Sequence, residues 1–226
     1  MEYYELSYIL MVISLLITLV AQLFVMGSYA KYKKIKNKKG LTGAEVAREI
    51  LNEHGLGNIY VTETRGYLSD HYDPTRKVIR LSKDIYNGTS IASVSVAAHE
   101  VGHAIQDKEG YSFMKFRSAI FPIVNLASKG GYFAILIGLI FGFVNLIWIG
   151  IGLEIVILLF QLVTLPVEFD ASARAAKEIE KNEFLDKSER TGSKNMLNAA
   201  AFTYVASVLT SLIEIFRLIL IARSDN

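Results

Sequence analysis

A stretch near the N-terminus, from Leu6 to Ala30, carries no charged residue. As an α-helix it would be about 37 Å long, which is enough to cross the ~30 Å hydrocarbon core of a bilayer with some tilt. The chain begins MEYYELS, which is acidic and aromatic, whereas a cleaved signal peptide has a basic start. The sequence therefore predicts an N-terminal transmembrane anchor over residues 1–30.

A run of lysines follows this stretch directly. KYKKIKNKK (31–39) contains six lysines, and positive residues beside a span are typical of the cytoplasmic side of a membrane. A basic flank of this kind also attracts anionic lipid. We therefore expect a protein of the cell membrane that contacts the lipid bilayer, with its N-terminus outside and residue 31 inside.

Two further regions are apolar enough to cross the membrane. Residues 118–167 suit a transmembrane hairpin, whose turn we place within GFVNLIWIG (142–150). Residues 195–226 predict a C-terminal transmembrane helix and tail, in which Glu214 and Arg217 pair across one helical turn. Hydrophobic residues make up 52% of the chain, which is typical of a mostly α-helical integral membrane protein with a bundle of about four transmembrane helices.

Residues 31–117 predict a small cytoplasmic α+β unit with the order helix–strand–strand–helix. The first helix begins at a capping box formed by Thr42 and Glu45, and the last begins at about Ile91. The stretch 66–76, between the strands, is rich in turn formers and predicts a loop. The two strands are expected at the β-branched runs 58–62 and 77–81.

A second charged region, residues 168–194, lies between the hairpin and the last span. The positive-inside rule places it on the cytoplasmic face together with residues 31–117, so the two regions can build one site. The chain has no cysteine, so a metal would be bound by His, Asp or Glu. A net charge of +2 is too small to indicate nucleic acid as a partner.

The segment AAHEVGHAIQD (97–107) contains the pattern His-Glu-x-x-His at His99, Glu100 and His103. Residues four apart share one face of a helix, so both imidazoles can bind one Zn²⁺ ion. Glu100 is then placed to take a proton from the zinc-activated water as it attacks a carbonyl carbon. The alternative is a buried helix with two unrelated histidines. Two of the chain's four histidines lie in the motif, which favours the metal site.

A catalytic zinc site needs a third protein ligand. PVEFDASARAAKEIE (166–180) offers Glu168 at the start of a helical, alanine-rich run, with Asp170 beside it. The alternative is that these acids only complement the helix dipole, and His71 is a rival ligand. His71, Tyr72 and Asp73 are also candidates for holding a substrate backbone by strand addition or for stabilising an oxyanion, unless Asp73 only forms a turn with Pro74.

Three segments resemble a known family: AAHEVGHAIQ, LSDHYDPTRKVIRLS and LPVEFDASARA. They resemble the bacterial membrane proteins called putative neutral zinc metallopeptidases (YugP type), and the likeness covers almost the whole chain. A more distant similarity is to HtpX-type membrane gluzincins, in which an HExxH helix and a later Glu-aromatic-x-Ala-Asp segment flank a membrane hairpin. The resemblance implies a zincin-like unit in the bacterial inner membrane, with Glu168 as third ligand. Ser172 stands where that pattern has Asp, which leaves Asp170 to orient a ligand histidine by another route.

These patterns together predict a multi-pass, zinc-dependent endopeptidase that faces the cytoplasm, holds one zinc ion and cleaves a peptide or protein substrate. An intramembrane protease is disfavoured because charged residues surround the HExxH helix too closely for it to span. The other alternative is a non-catalytic, metal-stabilised membrane scaffold or partner-binding protein. An intact Glu100 favours the enzyme, because a structural zinc site needs no general base. The sequence leaves the substrate preference and the oligomeric state open.

Overall fold

The structure, a computed structural model, describes residues 2–224. It is mostly helical and contains one small sheet. The helices are α1 (Glu2–Lys33), α2 (Gly43–Glu53), α3 (Lys83–Tyr86), α4 (Ile91–Glu109), α5 (Ser112–Phe141), α6 (Val144–Lys181) and α7 (Lys187–Ser224). The strands are β1 (Tyr60–Thr64), β2 (His71–Asp73) and β3 (Val78–Ser82).

Four of these helices, α1, α5, α6 and α7, are long and apolar enough to cross a membrane. The predicted mostly helical membrane fold with about four spans is therefore confirmed. The turn between α5 and α6 comprises only Gly142 and Phe143, because Gly142 adopts a left-handed conformation with φ of 70° that reverses the chain at once. The predicted turn at 142–150 was too long, since α6 already begins at Val144.

The described residues divide into two compact units. The membrane unit comprises residues 2–23, 115–165 and 202–224, and the polar unit comprises residues 24–114 and 166–201. Within the membrane unit, Ile147 and Ile151 of α6 form a buried cluster with residues of α7, including Leu218. Arg217 donates from Nε to Oε2 of Glu214 at 2.7 Å, so the predicted pair across one turn of α7 is confirmed.

The polar unit contains the sheet and the predicted first helix. Thr42 and Glu45 form both hydrogen bonds of a capping box at the start of α2, as predicted. The strand order is β1-β3-β2, with β1 parallel and β2 antiparallel to β3. The prediction of a loop throughout 66–76 was wrong, because His71–Asp73 pairs with β3 as a third strand. Three residues are too few for a detectable alternation in the sequence.

Helix α4 forms the centre of the polar unit. Its residues are buried around almost the whole circumference, which distinguishes it from a surface helix with a single apolar face. It begins at Ser90, whose hydroxyl accepts from the backbone N–H of Ser93, and it ends at Gly110 in a left-handed conformation. A helix held at both ends and packed on all sides gives its side chains fixed positions.

Two lysines of the basic run also belong to the polar unit's packing. Lys33 pairs with Asp84 at the start of α3, and Lys38 pairs with Asp186 at 2.7 Å, just before α7. The basic run is therefore attached to both polar segments of the chain.

Candidate metal centre

Helices α4 and α6 bring three possible metal ligands together. His99 and His103 lie one turn apart on α4, and the Nε2 atoms of the two rings lie 3.3 Å and 3.6 Å from Oε2 of Glu168 on α6. In the part of the chain that the structure describes, this is the one cluster of three or more His, Cys, Asp or Glu residues that could hold a metal ion. His71 does not belong to it.

The donor set fits one zinc ion. Two imidazole nitrogens and one carboxylate oxygen lie within 4.8 Å of one another, and this combination of ligands is known from catalytic zinc sites. The ring centroids lie 4.8 Å apart, and the two rings are nearly perpendicular, at 84°. The Nδ1 atom of each ring has its own partner, Ser172 Oγ for His99 and Gln106 Oε1 for His103, which leaves both Nε2 atoms to the cluster.

A close helix contact determines where Glu168 lies relative to the histidines. Gly102 of α4 packs directly on the backbone of α6, and a β-carbon at this position would lie 2.7 Å from the carbonyl oxygen of Ala171. Such a distance is shorter than van der Waals contact allows. The glycine between the two histidines is therefore part of the geometry, because it allows α6 to approach within reach of both rings.

Glu100 is buried beside the cluster and is not one of its three members. Burial raises the pKa of its carboxyl to about 7; the negative charges of Glu168 and Asp70 add to this effect. The charge of the His99 ring and the backbone of Tyr72 oppose it. A carboxyl whose pKa lies near neutrality can both accept and release a proton under ordinary conditions.

The other predicted residues are distributed along β2 and its turn. His71 is exposed, and its Nδ1 lies 2.8 Å from the carbonyl oxygen of Ser69. Tyr72 donates its hydroxyl hydrogen to Asp107 at 2.8 Å, and burial together with this bond raises the pKa of the phenol. Asp73 accepts from the backbone N–H groups that follow it, at 3.0 Å each, and so forms the turn before β3. Of the three residues, Tyr72 is the one whose backbone lowers the pKa of Glu100.

Asp170 is not one of the three clustered ligands, but it hydrogen-bonds to Gln106, which in turn contacts His103. It accepts hydrogen bonds from Gln106 Nε2 at 2.8 Å and from Arg174 Nε at 2.6 Å. Gln106 and Ser172 contact the ligand histidines, and neither was identified from the sequence as a functional residue. The available signal was spacing: Gln106 follows His103 by three residues, so the two side chains meet on one helix face.

Asp70, just before β2, was also missed. Its carboxylate accepts from the backbone N–H of Ser82 at 2.7 Å and from the Ser82 hydroxyl. Burial raises its pKa, although these hydrogen bonds oppose the shift. Its charge contributes to the raised pKa of Glu100.

Comparisons with known proteins identify the family of the chain. The family model described as "Putative neutral zinc metallopeptidase" matches residues 7–223. A relative from Bacillus subtilis (strain 168), described as "Putative membrane protease YugP", is 47% identical over 209 residues, which covers 91% of this chain and 93% of the relative. No solved structure matches the chain significantly. The resemblance predicted from the motifs is confirmed, and the chain belongs to this family of membrane zinc metallopeptidases, which hydrolyse peptide bonds.

Proposed function

We propose that the protein is an endopeptidase in which His99, His103 and Glu168 bind the zinc ion and Glu100 acts as general base. The observation that carries this proposal is the combination of a three-ligand cluster with a separate buried carboxyl, that of Glu100, on the same helix as two of the ligands. A purely structural site would need the ligands only. Zinc, when bound, supplies a Lewis acid that acidifies a water molecule and polarises the carbonyl of the scissile bond.

Glu100 performs the proton transfers. One carboxylate oxygen accepts a proton from the attacking water as the new C–O bond forms, and the same carboxyl returns that proton to the leaving nitrogen when the C–N bond breaks. The backbone of Tyr72 on β2 lies close enough to this carboxyl to lower its pKa. The exposed ring of His71 on the same strand is the candidate for stabilising the oxyanion, since the Tyr72 hydroxyl already donates to Asp107.

The position of β2 supports binding of an internal peptide segment. β2 is an outer strand of the sheet, and its Tyr72 hydroxyl donates to Asp107 of α4, the helix that carries Glu100. An extended substrate that pairs with a strand edge is held by its main chain. This mode requires no terminal amine or carboxylate, which favours cleavage within a chain over removal of end residues.

The experiment that tests this function uses the full-length protein in detergent with zinc and an unfolded protein as substrate. We expect chelator-sensitive cleavage, restored by added zinc, whose products begin and end at internal positions when mapped by mass spectrometry. Products shortened only from one end would show that the protein is an exopeptidase and not an endopeptidase. A protein that holds zinc but cleaves no unfolded chain or unfolded membrane protein would support the scaffold function instead.

We also propose that the metal centre faces the cytoplasm of a bacterial cell. The support is the basic run 31–39 after α1, since basic residues beside a span favour the cytoplasmic side. The chain has no cysteine, so a cysteine introduced at one position is the sole thiol of the protein that a reagent can label. In intact cells, a membrane-impermeant thiol reagent is expected to label Phe143→Cys and to spare Asn182→Cys, whereas permeabilised cells label both. The reverse pattern would place the site outside.

A further inference from the structure

A chain of hydrogen bonds extends from His103 away from the metal ligands. Nδ1 of His103 lies 3.0 Å from Oε1 of Gln106, and Nε2 of Gln106 lies 2.8 Å from Oδ2 of Asp170. The same Asp170 oxygen accepts from Nε of Arg174 at 2.6 Å, and Arg174 reaches Glu109 at 2.7 Å. Gln106 is completely buried, so water cannot substitute for these partners.

The direction of every bond in this chain is determined by the chemistry of its members. The Gln106 side-chain nitrogen has two contacts, the Val167 carbonyl oxygen and the Asp170 carboxylate, both at 2.8 Å and both able only to accept. The nitrogen must therefore be oriented toward them, which leaves the amide oxygen facing His103. Because an amide oxygen cannot donate, the hydrogen in that contact belongs to Nδ1 of His103.

A neutral histidine that carries its hydrogen on Nδ1 has a lone pair on Nε2. Nε2 is the atom of His103 that faces Oε2 of Glu168, at 3.6 Å. The side chains behind His103 thus select the tautomer in which the ring can bind a metal, and they also fix the ring's rotation.

His99 is held differently. Its Nδ1 lies 3.2 Å from the hydroxyl oxygen of Ser172, and a hydroxyl can either donate or accept. Ser172 therefore does not select a tautomer for His99. This chain has Ser172 where the related pattern has an aspartate. The carboxylate is instead that of Asp170, which acts on His103 through the side-chain amide of Gln106.

We propose that Gln106 is the positioning residue of His103 and that Asp170, held by Arg174, fixes the orientation of the Gln106 amide. The inference depends on His103 as a zinc ligand and not on peptide hydrolysis, so zinc affinity tests it even in a protein without turnover. Gln106 itself touches no reacting atom, and its role lies entirely in preparing the His103 ring.

Zinc affinity of the full-length protein, measured by competition with a chelator, is the first test. Gln106→Leu is expected to lower the zinc affinity by about 10- to 100-fold, as is usual when a residue that hydrogen-bonds to a metal ligand is lost. Asp170→Leu should lower it in the same direction, whereas Asp170→Asn should stay close to wild type because its amide oxygen still accepts from both neighbours. Asp186→Leu is the control, since it also removes an ion-paired aspartate of the polar unit.

The second test is spectroscopic and separates positioning from packing. With ¹⁵N-labelled histidine there are only four side chains to assign. In the zinc-loaded wild type we expect a slowly exchanging Nδ1–H signal from His103, because this hydrogen is bonded to a buried oxygen. The signal should be unchanged in Asp186→Leu and be absent or shifted in Gln106→Leu, because no amide oxygen then accepts this hydrogen.

Two results would overturn the proposal. One is an Asp170→Leu protein that binds zinc as tightly as Asp186→Leu. The other is a His103 Nδ1–H signal that is unchanged in Gln106→Leu. If Gln106→Leu does not fold, the comparison of Asp170→Leu with Asp170→Asn decides alone, since equal affinities in these two variants would show that the acceptor at position 170 is not needed.

Discussion

Replacement of Glu100 by glutamine is expected to lower peptide hydrolysis by about 10²- to 10⁴-fold and to leave zinc binding unchanged. Glutamine has nearly the same shape and can occupy the same buried position. It cannot, however, take a proton from the attacking water. Because Glu100 is not one of the three clustered ligands, its loss should not change the metal content. The measurements are kcat on an unfolded protein and zinc per mole of protein.

The control for this variant is Glu53→Gln, which removes a carboxylate from the surface of the polar unit, where it pairs with Lys181 at 2.9 Å. It should retain both zinc and full activity. A Glu100→Gln protein that still cleaves at the wild-type rate would remove Glu100 from the mechanism. Loss of zinc together with activity would instead show that Glu100 is a metal ligand.

The second large effect is expected for Glu168→Ala. Only two histidines would remain in the cluster, and two ligands bind zinc much more weakly than three. The zinc affinity should therefore fall by more than the roughly 10- to 100-fold that is typical when a residue hydrogen-bonded to a ligand is lost. Hydrolysis should fall with it. Chelator competition measures the first quantity, and cleavage at saturating zinc measures the second.

Helix α6 provides a closely matched control for Glu168→Ala. Glu178 is also buried, lies on the same helix and contacts a histidine, His54, at 3.0 Å. Glu178→Ala should cost folding stability but leave the zinc affinity as in the wild type. If Glu168→Ala kept both zinc and activity, Glu168 would not be the third ligand. His71 and Asp170 would then be replaced in turn, and the variant that lost zinc would identify the ligand.

The features that sequence reasoning predicted correctly depend on short stretches of chain. The capping box of α2 requires Thr42 and Glu45 only, and the spans require uncharged runs of sufficient length. The HExxH spacing places two histidines on one helix face regardless of what surrounds the helix. In each case the interacting groups lie within a few turns of one another, so the pattern can be seen without the fold.

The features that were missed depend on contacts between distant segments. Gln106 matters because α6 supplies Val167 and Asp170 as acceptors for its amide, more than sixty positions later in the chain. Ser172 matters because it meets His99 across the same interface. Strand β2 is too short for a periodic signal and is defined by its pairing with β3. No local pattern carries this information, because it is determined by how the elements pack.

The contact of Gly102 with α6 also limits how this motif can change during evolution. The atom that a side chain at position 102 would meet is a backbone oxygen, that of Ala171. No substitution at position 171 can therefore make room, because every residue has the same carbonyl group. A relative with a larger residue between the histidines would have to move the whole helix and carry its glutamate away from the rings. In this chain the motif is thus His-Glu-x-Gly-His, with a glycine that is constrained by packing and not by metal chemistry.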